Sequence, residues 1–304
     1  MAGKALIATA LLLGGFTGVS SAAITTGGAP TPAGGPPPPG SPTGAPADGP
    51  SAGALSVISA TTSPRKSFYF GVRYPRLSYT IASTQAQNDL RIDVIDSSGA
   101  VIRSFYRNDV APGVANTIRW DGDGADRRPA RNGRYSFRIA AQTGIPAARP
   151  ATRSSSLELG FALYGFAFPL LGDHDFGASA GRFGAGRSGH THQGQDVMAD
   201  CGVPIVAARG GRVQYSGFQD AAGNYVVIDA KGSTLDTAYM HLAQPSPLRT
   251  GDLVRTGQPI GVVGQTGDAT ACHLHFEIWT APGWYEGGSP IDPLPYLTKW
   301  DRYS

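Results

Sequence analysis

From Ser67 onward, apolar side chains recur at alternate positions, and each run is short before a turn signal breaks it. A period of two sends successive side chains to opposite faces of an extended strand, so such a chain builds sheets with a buried face. Leu77, Tyr79 and Ile81 mark one strand. Leu90, Ile92, Val94 and Ile95 mark a second, ending at the turn Asp96-Ser97-Ser98-Gly99, and Val101 to Tyr106 resumes it. Ile118-Arg119-Trp120 leads into Asp121-Gly122-Asp123-Gly124, and Asn132-Gly133 turns into Tyr135 to Ile139. After a polar stretch the alternation returns at Leu157, with strand candidates at 205–208, 212–215, 225–228, 235–240, 260–263 and 274–279. Glycines at 210–211, 223, 232, 251, 257 and 267 punctuate them. The 42 glycines and 24 prolines among 304 residues supply the breaks, and no stretch carries a helical apolar stripe. The expected fold class is all-β: a β-sandwich over 61–146, a linker over 147–156, and an antiparallel-sheet domain over 157–304.

The N-terminus is of another kind. Lys4, the uncharged and mostly apolar run from Ala5 to Val19, and the small residues Ser20 to Ala23 read as an export signal over 1–23. That run is short for a transmembrane helix, although an uncleaved anchor stays open, and no other stretch could span a bilayer. Residues 24–60, centred on Pro36 to Pro39, lack the large apolar residues that offset ordering entropy and read as a disordered spacer.

The formal charge of +3 is too small to argue for nucleic acid. Its distribution is uneven. Arg65 to Gln142 holds 13 Lys and Arg against 7 Asp and Glu, whereas Ser156 to Ser304 holds 9 against 14. A basic module beside an acidic one could lean on an anionic polymer, or could be an ordinary solvated surface.

Five of the six histidines fall between His190 and His275. In His273-Leu274-His275-Phe276-Glu277-Ile278, a strand puts His273, His275 and Glu277 on one face and the three apolar residues on the other. In Gly189-His190-Thr191-His192-Gln193-Gly194-Gln195-Asp196-Val197, a His and an Asp stand four apart around a glycine, suited to a loop entering a strand. Two imidazoles and a carboxylate make a three-ligand zinc site that keeps a position open. Tyr239-Met240-His241 ends another strand candidate and brings one more imidazole. Glu277 can orient an imidazole or form a simple ion pair. Tyr239 either lines the site or packs in the strand. His190 is read as a rim residue and His174 as surface.

Together, His192-x-x-x-Asp196, His241 after a tyrosine and His273-x-His275 resemble the signature of lysostaphin-type (LytM-like) zinc endopeptidases, which cleave peptidoglycan peptides. Val206-Ala207-Ala208, Gly210, Val213 and Gly261 to Gly267 stand where that family has similar residues. The resemblance runs from about Phe161 to Asp292. It implies one Zn2+ per chain on His192, Asp196 and His275, with His241 and His273 as the catalytic histidines in unassigned order. It also implies a groove of antiparallel sheets, a substrate in the stem or cross-bridge peptides of peptidoglycan, and a secreted or envelope location in a bacterium. A binding protein that no longer cuts would lack one of the five residues, and none is missing. An exported peptidase acting on glycine-rich proteins is a further alternative. A blocking segment ahead of the domain would place Asp173 or His174 on the metal.

Two further readings concern structure. Cys201 lies five residues after Asp196 and Cys272 three before His275. In an exported chain with two cysteines the sulfurs would then be close enough for a disulfide, against the alternative of two buried thiols. Thiolate ligation is disfavoured because neither belongs to a CxxC pair. The stretch from Leu90 to Ala140, with Trp120-Asp121-Gly122 and Asn132-Gly133-Arg134-Tyr135, resembles the Ig-like domain of flagellar hook-capping proteins. Only the shape, and no flagellar role, is taken from that resemblance; the module would position the protein or bind a protein or cell-wall partner. Asp121, Asp123 and Asp126 lack the rest of a calcium loop and are read as turn residues.

Overall fold

The computed structural model describes residues 55–142 and 159–304. The expected signal segment, most of the spacer and the 147–156 linker lie outside these. The first eight strands are β1 (Ser56–Ser63), β2 (Lys66–Phe68), β3 (Arg76–Ala82), β4 (Asn88–Asp96), β5 (Val101–Val110), β6 (Asn116–Arg119), β7 (Gly133–Ala141) and β8 (Gly160–Tyr164). They form a three-stranded sheet, β1-β3-β6, and a five-stranded sheet, β2-β8-β7-β4-β5. All neighbours are antiparallel except β2 and β8. One apolar core joins the sheets, with Leu77, Tyr79 and Ile81 from the first packed with Leu90, Ile92, Val94 and Phe137 from the second. The alternation in the sequence is the alternation of burial, as β3 shows residue by residue. Trp120 is fully buried, edge-on to Tyr135 at 5.1 Å, and its indole N–H donates to the Asp123 carbonyl at 2.8 Å. Asp121 and Asp126 accept backbone N–H groups two residues on, the work of turn residues. The Ig-like resemblance stands on the sequence pattern.

Two boundaries move. β1 begins at Ser56, inside the expected spacer, and buries Val57, Ala60 and Thr62. Small and hydroxylated residues hide its alternation. β8 was expected to open the second domain. Instead it pairs with β7 and β2 and buries Phe161 and Leu163 in the first core.

The remaining elements are β9 (Gln195–Met198), β10 (Pro204–Val206), β11 (Gly211–Gln219), β12 (Gly223–Ala230), β13 (Leu235–Leu242), β14 (Leu253–Val254), β15 (Pro259–Val262), β16 (His273–Thr280), β17 (Pro290–Ile291) and the helix α1 (Leu294–Asp301). Seven strands make one sheet in the order β14-β11-β12-β13-β16-β17, with β9 also paired to β16. The pair β10-β15 lies apart from it. One face of the large sheet buries Val213, Ile228, Tyr239, Leu274, Phe276 and Ile278 in a core closed by Leu297 and Trp300 of α1. That helix is eight residues long, too short to register as a periodic stripe. No described helix is long and apolar enough to cross a membrane.

The described residues group as one compact unit. At the seam between its two halves, the buried Arg209 guanidinium lies 4.5 Å from the Tyr69 ring and 5.0 Å from the Phe166 ring. It donates to the carbonyls of Gly165, Lys231 and Gly232. Thr256 donates to the Tyr69 carbonyl at 2.6 Å and accepts the Gly210 N–H at 2.8 Å.

Candidate active site

β16 is the centre of the site because it is paired on both sides. β13 sets Met240 opposite His275, and β9 sets Asp196 directly opposite His275. Residues directly opposite on an antiparallel pair project to the same face, so this register brings together a carboxylate and an imidazole 79 residues apart in sequence. Period two then adds His273 and Glu277 to that face, while Leu274 and Phe276 fill the core behind it. His192 enters from the loop before β9. The glycine between His192 and Asp196 has a steric reason. A Cβ on Gly194 would stand 2.5 Å from the Phe276 carbonyl oxygen and 2.7 Å from His275 Nε2.

His192 Nε2, His275 Nδ1 and Asp196 Oδ1 converge. The separations are 2.9 Å between the two nitrogens, 3.1 Å from His192 to Asp196 and 3.0 Å from His275 to Asp196. Among the described residues, this is the group of His, Cys, Asp or Glu placed to hold a metal ion. The far nitrogens fix which lone pairs are free. His192 Nδ1 lies 2.9 Å from the Arg182 carbonyl, which only accepts, so Nδ1 carries the proton and Nε2 is left bare. His275 is turned the other way: Nε2 donates to Glu277 at 3.0 Å, which points Nδ1 at Asp196 and His192. Glu277 is held in turn by the indole N–H groups of Trp279 at 2.7 Å and Trp284 at 3.0 Å.

The other two histidines are oriented by the same logic. His241 Nδ1 donates to the Thr266 carbonyl at 2.8 Å, and His273 Nδ1 to the Ala271 carbonyl at 2.8 Å, so each keeps an unprotonated Nε2. Their rings lie 4.7 Å apart, and His273 Nε2 is 3.6 Å from Asp196 Oδ1. His241, the last but one residue of β13, has φ at 64°, a left-handed conformation uncommon outside glycine and held here by its N–H bond to the Ala222 carbonyl.

Electrostatics favour a cation. Burial pushes the Asp196 carboxyl upward, but the His192 and His275 rings beside it outweigh burial and hold the group far below the usual carboxylate range. Burial alone would lower His275, yet Asp196 and Glu277 on either side raise it to about 9. Two imidazole nitrogens and one carboxylate oxygen are a donor set that suits zinc. Burial, with the neighbouring histidines, lowers His241 to about 4, so its ring is neutral near pH 7.

Of the other expected residues, Cys201 and Cys272 are bonded to each other. Tyr239 lies on the core side of the sheet, where its hydroxyl accepts the Ala208 N–H at 2.7 Å and meets Thr237. It packs edge-on against Phe276 and does not line the site. His190 is exposed and contacts its own turn at the Ser188 carbonyl. His174 uses one nitrogen on the Gly172 carbonyl, has the other 3.6 Å from Asp301, and packs on Phe168. Neither it nor Asp173 belongs to the metal-capable group. Three residues were not anticipated. Trp279 was within reach, two positions beyond Glu277 on the same face. Trp284 and Arg187, whose guanidinium stands 3.4 Å from Asp196 Oδ2, arrive on loops with no local signature.

The Glu277 triad yields an expectation. Glu277→Gln keeps the size but lets an amide N–H face a ring nitrogen that must itself donate, so the His275 tautomer is no longer fixed. Metal affinity should fall by about 10- to 100-fold, read by competition with a chromogenic chelator. Unchanged affinity would remove Glu277 from the metal centre.

Residues 190–293 match the family described as Peptidase family M23. The chain is 44% identical over 87 residues to the peptidoglycan DD-endopeptidase ShyC of Vibrio cholerae, covering 29% of this chain and 20% of that protein. It is 31% identical over 128 residues to the glycyl-glycine endopeptidase ALE-1 of Staphylococcus capitis, covering 42% of this chain and 34% of the relative. The catalytic domain of lysostaphin from Staphylococcus simulans is a structural neighbour at 29% identity, covering 41% of this chain and 99% of that one, with a TM-score of 0.36. The chain thus spans about a third or less of these two relatives' lengths. Over residues 190–293, the chain thus matches the model of peptidase family M23 and is similar there to lysostaphin-type endopeptidases.

Proposed function

We propose that this protein is an exported zinc endopeptidase that hydrolyses peptide cross-links of bacterial peptidoglycan. The observation that carries the reading is the convergence of three ligand atoms. Two imidazoles and one carboxylate meet at a point, while His241 and His273 stand beside it with Nε2 unprotonated. The names of ShyC and ALE-1 describe endopeptidases, one acting on peptidoglycan and one on glycyl-glycine bonds, and support the substrate class.

Zinc held by His192, Asp196 and His275 supplies a Lewis acid for water and for the scissile carbonyl. The chain's own residues do the rest. His241 or His273 accepts the proton of the attacking water through its bare Nε2, while the opposite nitrogen stays anchored to a backbone carbonyl. That histidine, now carrying the water's proton on Nε2, faces the oxygen on which negative charge develops and then delivers the proton to the departing amine nitrogen, while the other histidine orients the attacking water. Glu277 keeps His275 in the ligating tautomer, and Arg187 engages the Asp196 oxygen that does not face the histidines. Residues 1–23 would direct export, and the 24–54 spacer would give the folded unit reach.

The test uses the folded chain from residue 55, because β8 ties the two halves together. Purified protein is incubated with peptidoglycan sacculi and released fragments are read by mass spectrometry. Wild type should open peptide cross-links, whereas a chelated sample and His273→Ala should not. His273→Ala should still bind one zinc per chain, which separates a catalytic role from a ligand role. Intact sacculi with wild-type, zinc-loaded protein would defeat the reading.

A further inference from the structure

Away from the metal site, the seam carries a row of cations and aromatic rings that the peptidase reading does not use. Lys231 Nζ lies 4.3 Å from the centre of the Phe70 ring, and the Arg255 guanidinium lies 4.8 Å from the same ring. Arg255 is also 5.4 Å from the Tyr74 ring and donates to its hydroxyl. Arg119 covers Tyr74 at 5.4 Å, and Arg76 stands directly opposite Arg119 in the β3–β6 register. The order is therefore Lys231, Phe70, Arg255, Tyr74, Arg119, Arg76, running from the second half of the unit onto the first. All four cations are exposed, and none is ion-paired with a described carboxylate.

Two features of this row oppose folding. Like charges directly opposite on neighbouring strands repel, and Arg76 and Arg119 occupy such a pair. Phe70 has φ at 49°, a conformation costly for a bulky side chain, and it is this residue that sets a ring between Lys231 and Arg255. The segment is clamped there by Thr256, whose N–H donates to the Phe70 carbonyl at 3.0 Å and whose carbonyl accepts the Val72 N–H at 3.1 Å. The row is thus a rigid, prepaid arrangement of positive charge with no internal counter-charge.

We propose that this row binds a linear polyol phosphodiester polymer. A guanidinium over a ring face leaves N–H groups to spare, Arg255 spending only one on the Tyr74 hydroxyl, and those groups match the paired oxygens of a phosphate. Uncharged, half-buried rings alternate with the cations as carbon spacers alternate with phosphates along such a polymer. A polypeptide polyanion fits less well, because its amide groups would meet ring faces that offer no hydrogen-bond partner. The inference is independent of the peptidase reading: it concerns how the protein is held on an anionic envelope, and it survives if the site cuts nothing.

The test measures binding of fluorescently labelled poly(glycerol phosphate) by anisotropy, with polyglutamate as the carboxylate comparator. The chain is used whole, as wild type, as Arg76→Gln/Arg119→Gln, and as Arg107→Gln/Arg134→Gln, which removes the same charge from the five-stranded sheet. Wild type should bind the phosphodiester polymer in preference to polyglutamate. The first variant should bind about tenfold or more weakly, and its log Kd against log salt should be shallower by roughly 1 to 2, as expected for two lost phosphate contacts. Its thermal midpoint should be no lower than that of wild type, since a like-charge pair is relieved. The second variant should bind nearly as wild type. Equal weakening in both variants, equal binding of polyglutamate, or no binding by wild type would each overturn the proposal.

Discussion

Replacing Asp196 by alanine should leave the protein folded, without its metal and without peptidase activity. Asp196 is the one carboxylate in the converging group, and His192 and His275 both lie within 3.1 Å of its Oδ1. Without it the site loses its only anionic donor to the ion, and His275 loses one of the two groups that orient it. Metal catalysis is worth several kcal/mol of transition-state stabilisation, so the cleavage rate should drop by at least about a thousandfold. Stability should change little, because the side chain is partly open to solvent and the β9–β16 pairing is carried by backbone. Metal content by elemental analysis, cleavage of sacculi and far-UV circular dichroism check the three parts. One equivalent of zinc retained with full activity would mean that the ligands lie elsewhere.

Opening the disulfide should be the largest single loss of stability. Cys201 and Cys272 are 71 residues apart in sequence with Cα atoms 5.3 Å apart. In the chain-entropy account, a loop of that length contributes about 4 kcal/mol by restricting the unfolded chain. Cys201→Ser/Cys272→Ser should lower the urea midpoint accordingly, and reduction of wild type should reproduce the shift. The bridge also sits next to chemistry. Cys272 immediately precedes His273, and the Ala271 carbonyl that anchors the His273 ring is one residue earlier. The double variant should therefore lose activity at temperatures where it is still folded and still holds zinc. Equal midpoints for wild type and double variant would show that the cross-link contributes nothing in solution.

Much of the fold was legible because period two is a local property. Leu77, Tyr79 and Ile81, or Leu274, Phe276 and Ile278, need no partner to declare which face they bury. The same rule put His273, His275 and Glu277 together. It failed where the local signal was weak. Ser56–Ser63 alternates with hydroxyl groups, Leu294–Asp301 is barely two turns of helix, and Gly160–Tyr164 carries nothing that says which domain will pair with it.

The spacings His192-x-x-x-Asp196 and His273-x-His275 were enough to nominate the ligands, and the resemblance they carry was enough to nominate zinc. What they could not supply was register. Only the pairing of β9 with β16 sets Asp196 opposite His275, and only Gly194 lets the chain pass close enough to that ring. The tautomers depend on carbonyls of Arg182, Thr266 and Ala271, and the hold on Glu277 depends on Trp284 from a distant loop. Sequence alone determined which residue types share a strand face, because that is fixed by backbone geometry over a few residues. Tertiary structure alone decided which lone pairs are free, how Tyr239 turned to the core, and how Arg255 and Lys231 came to flank Phe70, because those outcomes depend on long-range packing.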